Sequence, residues 1–337
     1  MNKNESWANR YRPKSWDALI GQPHIRKILE NQLATDNIKH AYLFCGGAGT
    51  GKTTSARIVA NLINEGKGRP IELDCASKNG VEDVRDIIEE SKHKPFDCKY
   101  KIFIMDECHM LSTGANNALL KILEEPPEWV IFIFCTTDPQ KVIGTIHSRV
   151  QKLMFKKVSV EDLVTNLKRI LSGEGITTYT DEALSYIARL AKGGVRDSIT
   201  TLEKCYDYNH EINLQNVLEA TSGGITEDML MRFLELVYTK NAKEAILELN
   251  NIYMSGIDMA LFDKLFKEFI QGCIIYLITN NEDITSLSEN AVNILKQGRF
   301  DRVILGDMLN SYNNKSGNLL SDEMKIMIEG WIIRVCF

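Results

Sequence analysis

The sequence predicts an α/β domain built on a doubly wound parallel sheet, followed by chain that is all-helical. Three observations carry this. Short apolar runs alternate with helical patterns through residues 1–157. A glycine-rich loop of the form G-x-x-x-x-G-K-T joins one of those runs to one of those helices. Beyond Lys157 the strand-like runs stop and only helical periodicity continues.

The expected strands are Ala41–Cys45, 71–73, 101–105, Val130–Thr136 and 152–155. Each is short, apolar and bounded by polar residues or glycine, as strands buried on both faces of a parallel sheet are. The helices expected between them cover 51–63, 81–92 and 116–125. Strand, helix and strand in repetition imply right-handed crossovers. After Lys157, amphipathic patterns cover 160–171, 181–191, 196–206 and 214–221, with Asp181 as the cap of its helix. A Gly223-Gly224 break follows, then Glu227–Tyr238, Ala242–Met254, 259–278 and further helical segments to Phe337. The expected boundaries are an α/β core over 1–157, a small helical domain over 158–224 and a second helical domain over 225–337.

Composition narrows the class. A chain of 337 residues suits two or three domains. With 44% apolar and 25% charged residues it is neither disordered nor fibrous. Acids outnumber bases by 45 to 40, so the chain is not a generally basic nucleic-acid binder. The excess is local, because residues 226–337 hold 16 acids against 11 bases and the remainder is balanced. The N-terminus is too polar for a secretory signal. The longest apolar runs fall short of the ~18 residues that span a bilayer, so no membrane association is expected. The eight cysteines contain no CxxC pair, which suits reduced thiols and a cytoplasmic setting.

Two motifs carry chemistry. Gly46-Gly47-Ala48-Gly49-Thr50-Gly51-Lys52-Thr53 follows a strand and opens a helix, the context that makes it a phosphate loop. Its backbone amides would cradle phosphate oxygens, Lys52 would reach the β- and γ-phosphates, and the Thr53 hydroxyl would bind Mg²⁺. The second motif is Asp106-Glu107-Cys108-His109 at the end of an apolar strand. Asp106 is the candidate Mg²⁺ carboxylate, and Glu107 the group that orients and deprotonates the attacking water. Cys108 and His109 have the residue types of a metal pair without further ligands nearby, and read as packing or coupling residues.

With these motifs on the page, the sequence resembles the clamp-loader branch of the AAA+ ATPases. It is most similar to the gamma/tau family of bacterial DNA polymerase III, and more distantly to replication factor C small subunits and phage loaders. The resemblance rests on Arg10-Tyr11-Arg12-Pro13 with Ile20-Gly21-Gln22, the phosphate loop and the stretch from Lys78 to Arg85. It continues through 106–112, 117–127, Thr136-Thr137-Asp138-Pro139-Gln140-Lys141, Ser148-Arg149 and Gly193-Gly194-Val195-Arg196-Asp197. Residues 226–337 match by length and helicity alone.

The resemblance implies ATP hydrolysis with Mg²⁺ and assigns further roles. Gly47, Ala48, Gly49, Thr50, Gly51, Lys52, Thr53 and Thr54 would hold the phosphates. Ala8, Arg10, Tyr11, Arg12, Leu19 and Ile20 would line the adenine pocket. Thr136 or Thr137 is the polar group between metal carboxylate and γ-phosphate, and spacing from Ser148 favours Thr137. Arg149 would be presented to ATP on the adjacent subunit, with Val150 where the family has Cys. Arg196 would touch the γ-phosphate in cis; its bland alternative is an ion pair with Asp197. Lys78, Arg85 and, more weakly, Lys141 match positions that contact DNA phosphates, although the basic stretch 141–157 is also readable as a solvated strand edge. Phe96 is either a plug for a clamp pocket or an ordinary core residue.

The implied partners are a sliding clamp, primer–template DNA and other loader subunits in a pentamer holding several copies of this chain. The region 225–337 would be its oligomerising collar, inside a bacterial or phage-infected cell. The four-cysteine zinc module common after the first helix in gamma/tau subunits is missing from 61–71, so no zinc is expected. The chain is also expected to lack domains beyond the collar. Two rivals remain. A branch-migration motor would need a winged helix at its C-terminus, where this sequence has helical periodicity. A scaffold subunit would lose part of the catalytic set, whereas Lys52, Thr53, Asp106, Glu107, Arg149 and Arg196 are all present.

Overall fold

The computed structural model describes residues 5–312, apart from 283 and 286, and 321–337. The chain divides into two compact units, Met1–Glu203 and Lys204–Phe337. In the first, α1 (Trp7–Arg10) and α2 (Pro23–Ala34) precede the sheet. Then follow β1 (Ala41–Cys45), α3 (Lys52–Ile63), β2 (Ile71–Asp74), α4 (Val81–Ser91), β3 (Lys101–Asp106), α5 (Thr113–Glu124) and β4 (Val130–Thr136). The short α6 (Gly144–His147) leads to β5 (Gln151–Met154), α7 (Val160–Glu174) and α8 (Asp181–Leu190) follow, and α9 (Val195–Tyr208) starts in this unit and runs past its boundary.

The strands form one parallel sheet in the order β2-β3-β4-β1-β5. All seven residues of β4 are buried, because helices cover both faces. On one face Leu43, Phe103, Phe132 and Phe134 pack against α4 and α5. On the other, Tyr42, Phe44, Ile104 and Ile133 pack against α2 and α3. Period-two alternation thus splits each strand between two cores. Phe132 stacks on Phe103 at 5.2 Å and on Phe134 at 6.0 Å between ring centroids, a column through the middle of the sheet.

The element ends have local causes. Ser112 accepts from the Ala115 amide, so α5 starts three residues before the expected Asn116. The cap of α8 is Thr180, not Asp181: the Thr180 hydroxyl accepts from the Ala183 amide. Asp181 lies in the first turn and pairs with Lys168 at 2.8 Å. Gly21 and Gln22 clamp the chain leaving β5. Gln22 donates to the Lys156 carbonyl and accepts from its amide. A Cβ on Gly21 would lie 2.7 Å from Val158, and its φ of +78° also favours glycine.

Every element among the described residues of the second unit is a helix. It contains α10 (Leu214–Ser222), α11 (Glu227–Tyr238), α12 (Ala242–Met254), α13 (Met259–Thr279), α14 (Glu289–Lys296), α15 (Arg302–Tyr312) and α16 (Ser321–Cys336). Its core centres on edge-to-face contacts among Phe233, Phe262, Phe266, Tyr312 and Trp331. Thr226, Asn241, Asp258 and Ser288 cap four of these helices through side-chain oxygens. No helix among the described residues is long and apolar enough to cross a membrane.

The aromatic column gives a stability test. Phe132→Ala removes the ring shared by Phe103 and Phe134 and is expected to lower the stability of the first unit by about 3–5 kcal/mol, read by chemical denaturation. A loss below about 1 kcal/mol would mean that the sheet does not depend on this column.

Candidate functional site: a phosphate-loop cleft

The carboxyl ends of β1, β3 and β4 converge on one edge of the sheet. β1 runs directly into Gly46, and a Cβ there would meet the Phe155 carbonyl at 2.6 Å. The loop turns through Gly49 at φ +68° and Gly51 at φ +96°, and α3 begins at Lys52. The first amides of α3 therefore point into the loop. Lys52 is 6% exposed, and its ammonium donates to the carbonyls of Gly46 and Gly47, both at 2.9 Å. Burial lowers the pKa of this ammonium, and Glu107 foremost opposes the shift.

The acidic side of the cleft comes from β3. The Thr53 hydroxyl donates to Asp106 Oδ2 at 2.8 Å, so a hydroxyl and a carboxylate from separate motifs already meet. Both are hard oxygen donors, the chemistry Mg²⁺ requires alongside phosphate oxygens. Glu107 adopts a left-handed backbone, φ +48° and ψ +45°, at the abrupt end of the strand. Its Oε2 accepts from the Thr137 amide at 3.1 Å and the Thr137 hydroxyl at 2.9 Å. Thr137 thus acts on the Glu107 carboxylate, and Thr136 faces His109 instead.

These groups open on a cleft of about 620 Å³. Ala8, Tyr11, Arg12, Leu19 and Ile20 form one wall, the loop from Ala48 to Thr54 the floor, and Arg196 a third side. The Val195 amide at the start of α9 donates to the Gly49 carbonyl, which seats Arg196 over the loop. Gly47 contributes through its carbonyl, held by Lys52 and the Thr50 hydroxyl. Arg10 is not part of the cleft lining. Its guanidinium pairs with Glu174 on α7 at 2.7 Å, and the Tyr11 hydroxyl donates to the same carboxylate. Burial and Glu174 push the Tyr11 phenol up to about 12. The N-terminal wall is therefore strapped to the helical end of its own unit.

Sequence reasoning missed Arg57 and Glu72. They line the same cleft and form a two-pronged ion pair at 2.7 and 2.6 Å. Arg12 lies near Arg57 and Arg196, and its pKa is lowered by burial first and by these two cations next. The sole sequence hint was the charge of Glu72 between the apolar Ile71 and Leu73 of β2.

Other candidates lie elsewhere on the first unit. Arg149 belongs to a second cleft of about 530 Å³, with Lys39, His40 and Glu124. Its guanidinium pairs with Glu124 at 2.5 Å and donates to the Thr145 carbonyl at 2.8 Å. Lys78 is exposed, Arg85 pairs with Glu82 at 2.6 Å and Lys141 with Asp138 at 3.2 Å. Phe96 is fully exposed at 105%, so it is not a core residue. All eight cysteines are free, and among the described residues no cluster of three or more His, Cys, Asp or Glu side chains could hold a metal ion.

Comparison with known proteins agrees with this architecture. A family model described as DNA polymerase III, delta subunit, matches residues 69–159. The chain is 36% identical to the DNA polymerase III subunit tau of Bacillus subtilis, over 77% of this chain and 49% of that one. It is 33% identical to subunit tau of Escherichia coli, over 74% of this chain and 42% of that one. The Buchnera aphidicola subunit gamma is 32% identical, over 78% of this chain and 76% of that one. The chain spans about half the length of the first two relatives. Among solved structures, Thermotoga maritima RuvB, a Holliday junction branch migration motor, superposes with a TM-score of 0.53 at 22% identity. That likeness covers 67% of this chain and 79% of RuvB and reflects a shared AAA+ fold. The parallel sheet, its phosphate loop and the identity across three quarters of the gamma subunit place the chain: it belongs to the DNA polymerase III gamma/tau family.

Proposed function

We propose that the chain is the ATP-hydrolysing motor subunit of a sliding-clamp loader, acting in a pentameric assembly with several copies of itself. The observation that carries this is the division of the catalytic set. Lys52, Thr53, Asp106 and Glu107 share one cleft, while Arg149 lies in another. One chain then supplies a triphosphate site and, separately, a cation for its neighbour's site.

In this reading the loop amides and Lys52 hold the β- and γ-phosphates, and Lys52 exchanges two loop carbonyls for phosphate oxygens. Thr53 and Asp106 would hold Mg²⁺, which would neutralise charge on the phosphates. Glu107 orients the attacking water and takes its proton, with Thr137 fixing the carboxylate. Arg196 contacts the γ-phosphate in cis and couples the lid segment 158–224 to nucleotide state. Arg149 leaves Glu124 to meet the neighbour's γ-phosphate, where transition-state charge spreads over the oxygens. The adenine rests against Ala8, Tyr11, Arg12, Leu19 and Ile20, and Arg10 braces that wall.

Hydrolysis is coupled to opening a ring clamp and closing it on primer–template DNA. Lys78, Arg85 and Lys141 grip phosphates without reading bases. The exposed Phe96 plugs a pocket on the clamp. The helical region 225–337 forms the collar. Among its described residues every element is a helix, which supports this reading over a branch-migration motor, for which a winged helix was expected. A location in the cytoplasm, beside the replicating DNA, follows from the same reading.

The assembled complex is expected to hydrolyse ATP faster when clamp and primed DNA are both added, read by phosphate release. Equal turnover with and without them would remove the loader assignment. Within that complex, Arg149→Ala should cut turnover by roughly 10³–10⁵ while nucleotide binding persists. If Arg149→Ala turns over normally, no cation is donated between neighbours.

A further inference from the structure

We propose that His109 is a positioning residue for Glu107, acting through the turn that ends β4; this rests on the ATPase reading above. Hydrogen-bond counting leads to it. The Thr136 hydroxyl oxygen accepts from the Asp138 amide at 3.0 Å, and the same oxygen lies 3.0 Å from His109 Nδ1. Thr136 is fully buried, so its single hydroxyl hydrogen needs an acceptor inside the protein. Nδ1 is the acceptor the structure supplies. The count assigns the imidazole proton to Nε2 and makes Nδ1 the anchor of Thr136.

Thr136 is then pinned from both sides, by His109 on β3's trailing turn and by Asp138. The residue held between those anchors is Thr137. Its amide and hydroxyl are aimed at Glu107 Oε2, at 3.1 and 2.9 Å. Nδ1 also stands 3.3 Å from that oxygen, but in this tautomer it faces Oε2 with a lone pair and makes no bond to it. A nitrogen already accepting from Thr136 offers Oε2 no hydrogen, so the carboxylate stays on Thr137. Among the described residues nothing donates to Oε1, which leaves it for the cleft that Glu107 lines. The left-handed backbone at Glu107 needs such outside support to keep one orientation. His109 does not line the cleft, so it acts through Thr136 and Thr137.

Two substitutions separate polar positioning from packing. His109→Leu fills the ring's space but leaves the buried Thr136 hydroxyl without an acceptor. His109→Asn keeps an oxygen where Nδ1 stands. Both are measured in the full complex with clamp and primed DNA, by steady-state ATP turnover and by binding of a fluorescent ATP analogue. H109L should lower kcat by about 10- to 100-fold with KM and analogue affinity changed less than about twofold, and H109N should recover most of kcat. The inference is overturned if H109L turns over like wild type, or if H109N is no better than H109L. Should H109L fail to assemble, Thr136→Val removes the same hydroxyl at constant shape. It should give the same loss in kcat, and wild-type kcat in that variant overturns the proposal. A wild-type complex without ATP turnover overturns the ATPase reading as well, which distinguishes the two failures.

Discussion

The site exists because three parallel strands end on the same edge of one sheet. The register sets Cys45 of β1 beside Thr136 of β4, and Asp74 of β2 beside Asp106 of β3. The phosphate loop, the acidic pair and the Thr136–Thr137 turn therefore leave the sheet at one level. The Thr53–Asp106 hydrogen bond is the direct result, joining residues 53 positions apart. Had any of these strands run antiparallel, its functional residues would lie at the opposite edge. Burial of both sheet faces is what enforces the register, since a one-residue slip would exchange the two aromatic cores.

Charge in the cleft is mixed. Arg12, Lys52, Arg57, Arg169 and Arg196 line it together with Glu72, Asp74, Asp106, Glu107 and Asp197, and Glu72 pairs with Arg57. The lowered pKa of Arg12 reports burial first and then crowding by its cationic neighbours. A triphosphate would relieve that crowding and give Lys52 partners stronger than the two carbonyls it now holds. In the proposed assembly Arg149 would be the complementary cation. Its pairing with Glu124 keeps the guanidinium defined but half-committed, since exposed pairs of this kind contribute little.

Much of this was legible in the sequence. β1 and β4 begin and end where their apolar runs do, and the phosphate loop and Asp106-Glu107 stand where strand ends were expected. What stayed hidden depends on contacts between distant segments. Arg10 was expected to face the nucleotide; Glu174, more than 160 residues away, draws it toward α7, while Tyr11 donates to the same carboxylate and still lines the cleft. The Arg57–Glu72 pair and the His109–Thr136 contact are of the same kind, as no periodicity encodes a meeting between two elements. The misplaced cap at Asp181 is a local error, because Thr180 is an equally good cap and lies one residue earlier. Phe96 was undecided between surface and core, since a single aromatic in a loop carries no pattern.

The central claim is that neighbouring copies complete one hydrolytic site across their boundary. An experimental structure of the assembled complex, trapped with a γ-phosphate mimic and Mg²⁺, tests it most directly. The account expects the Arg149 guanidinium within hydrogen-bonding distance, about 3 Å, of the adjoining subunit's terminal phosphate mimic, with Glu124 released. Arg149 still seated on Glu124 in every copy, far from any bound nucleotide, would contradict it.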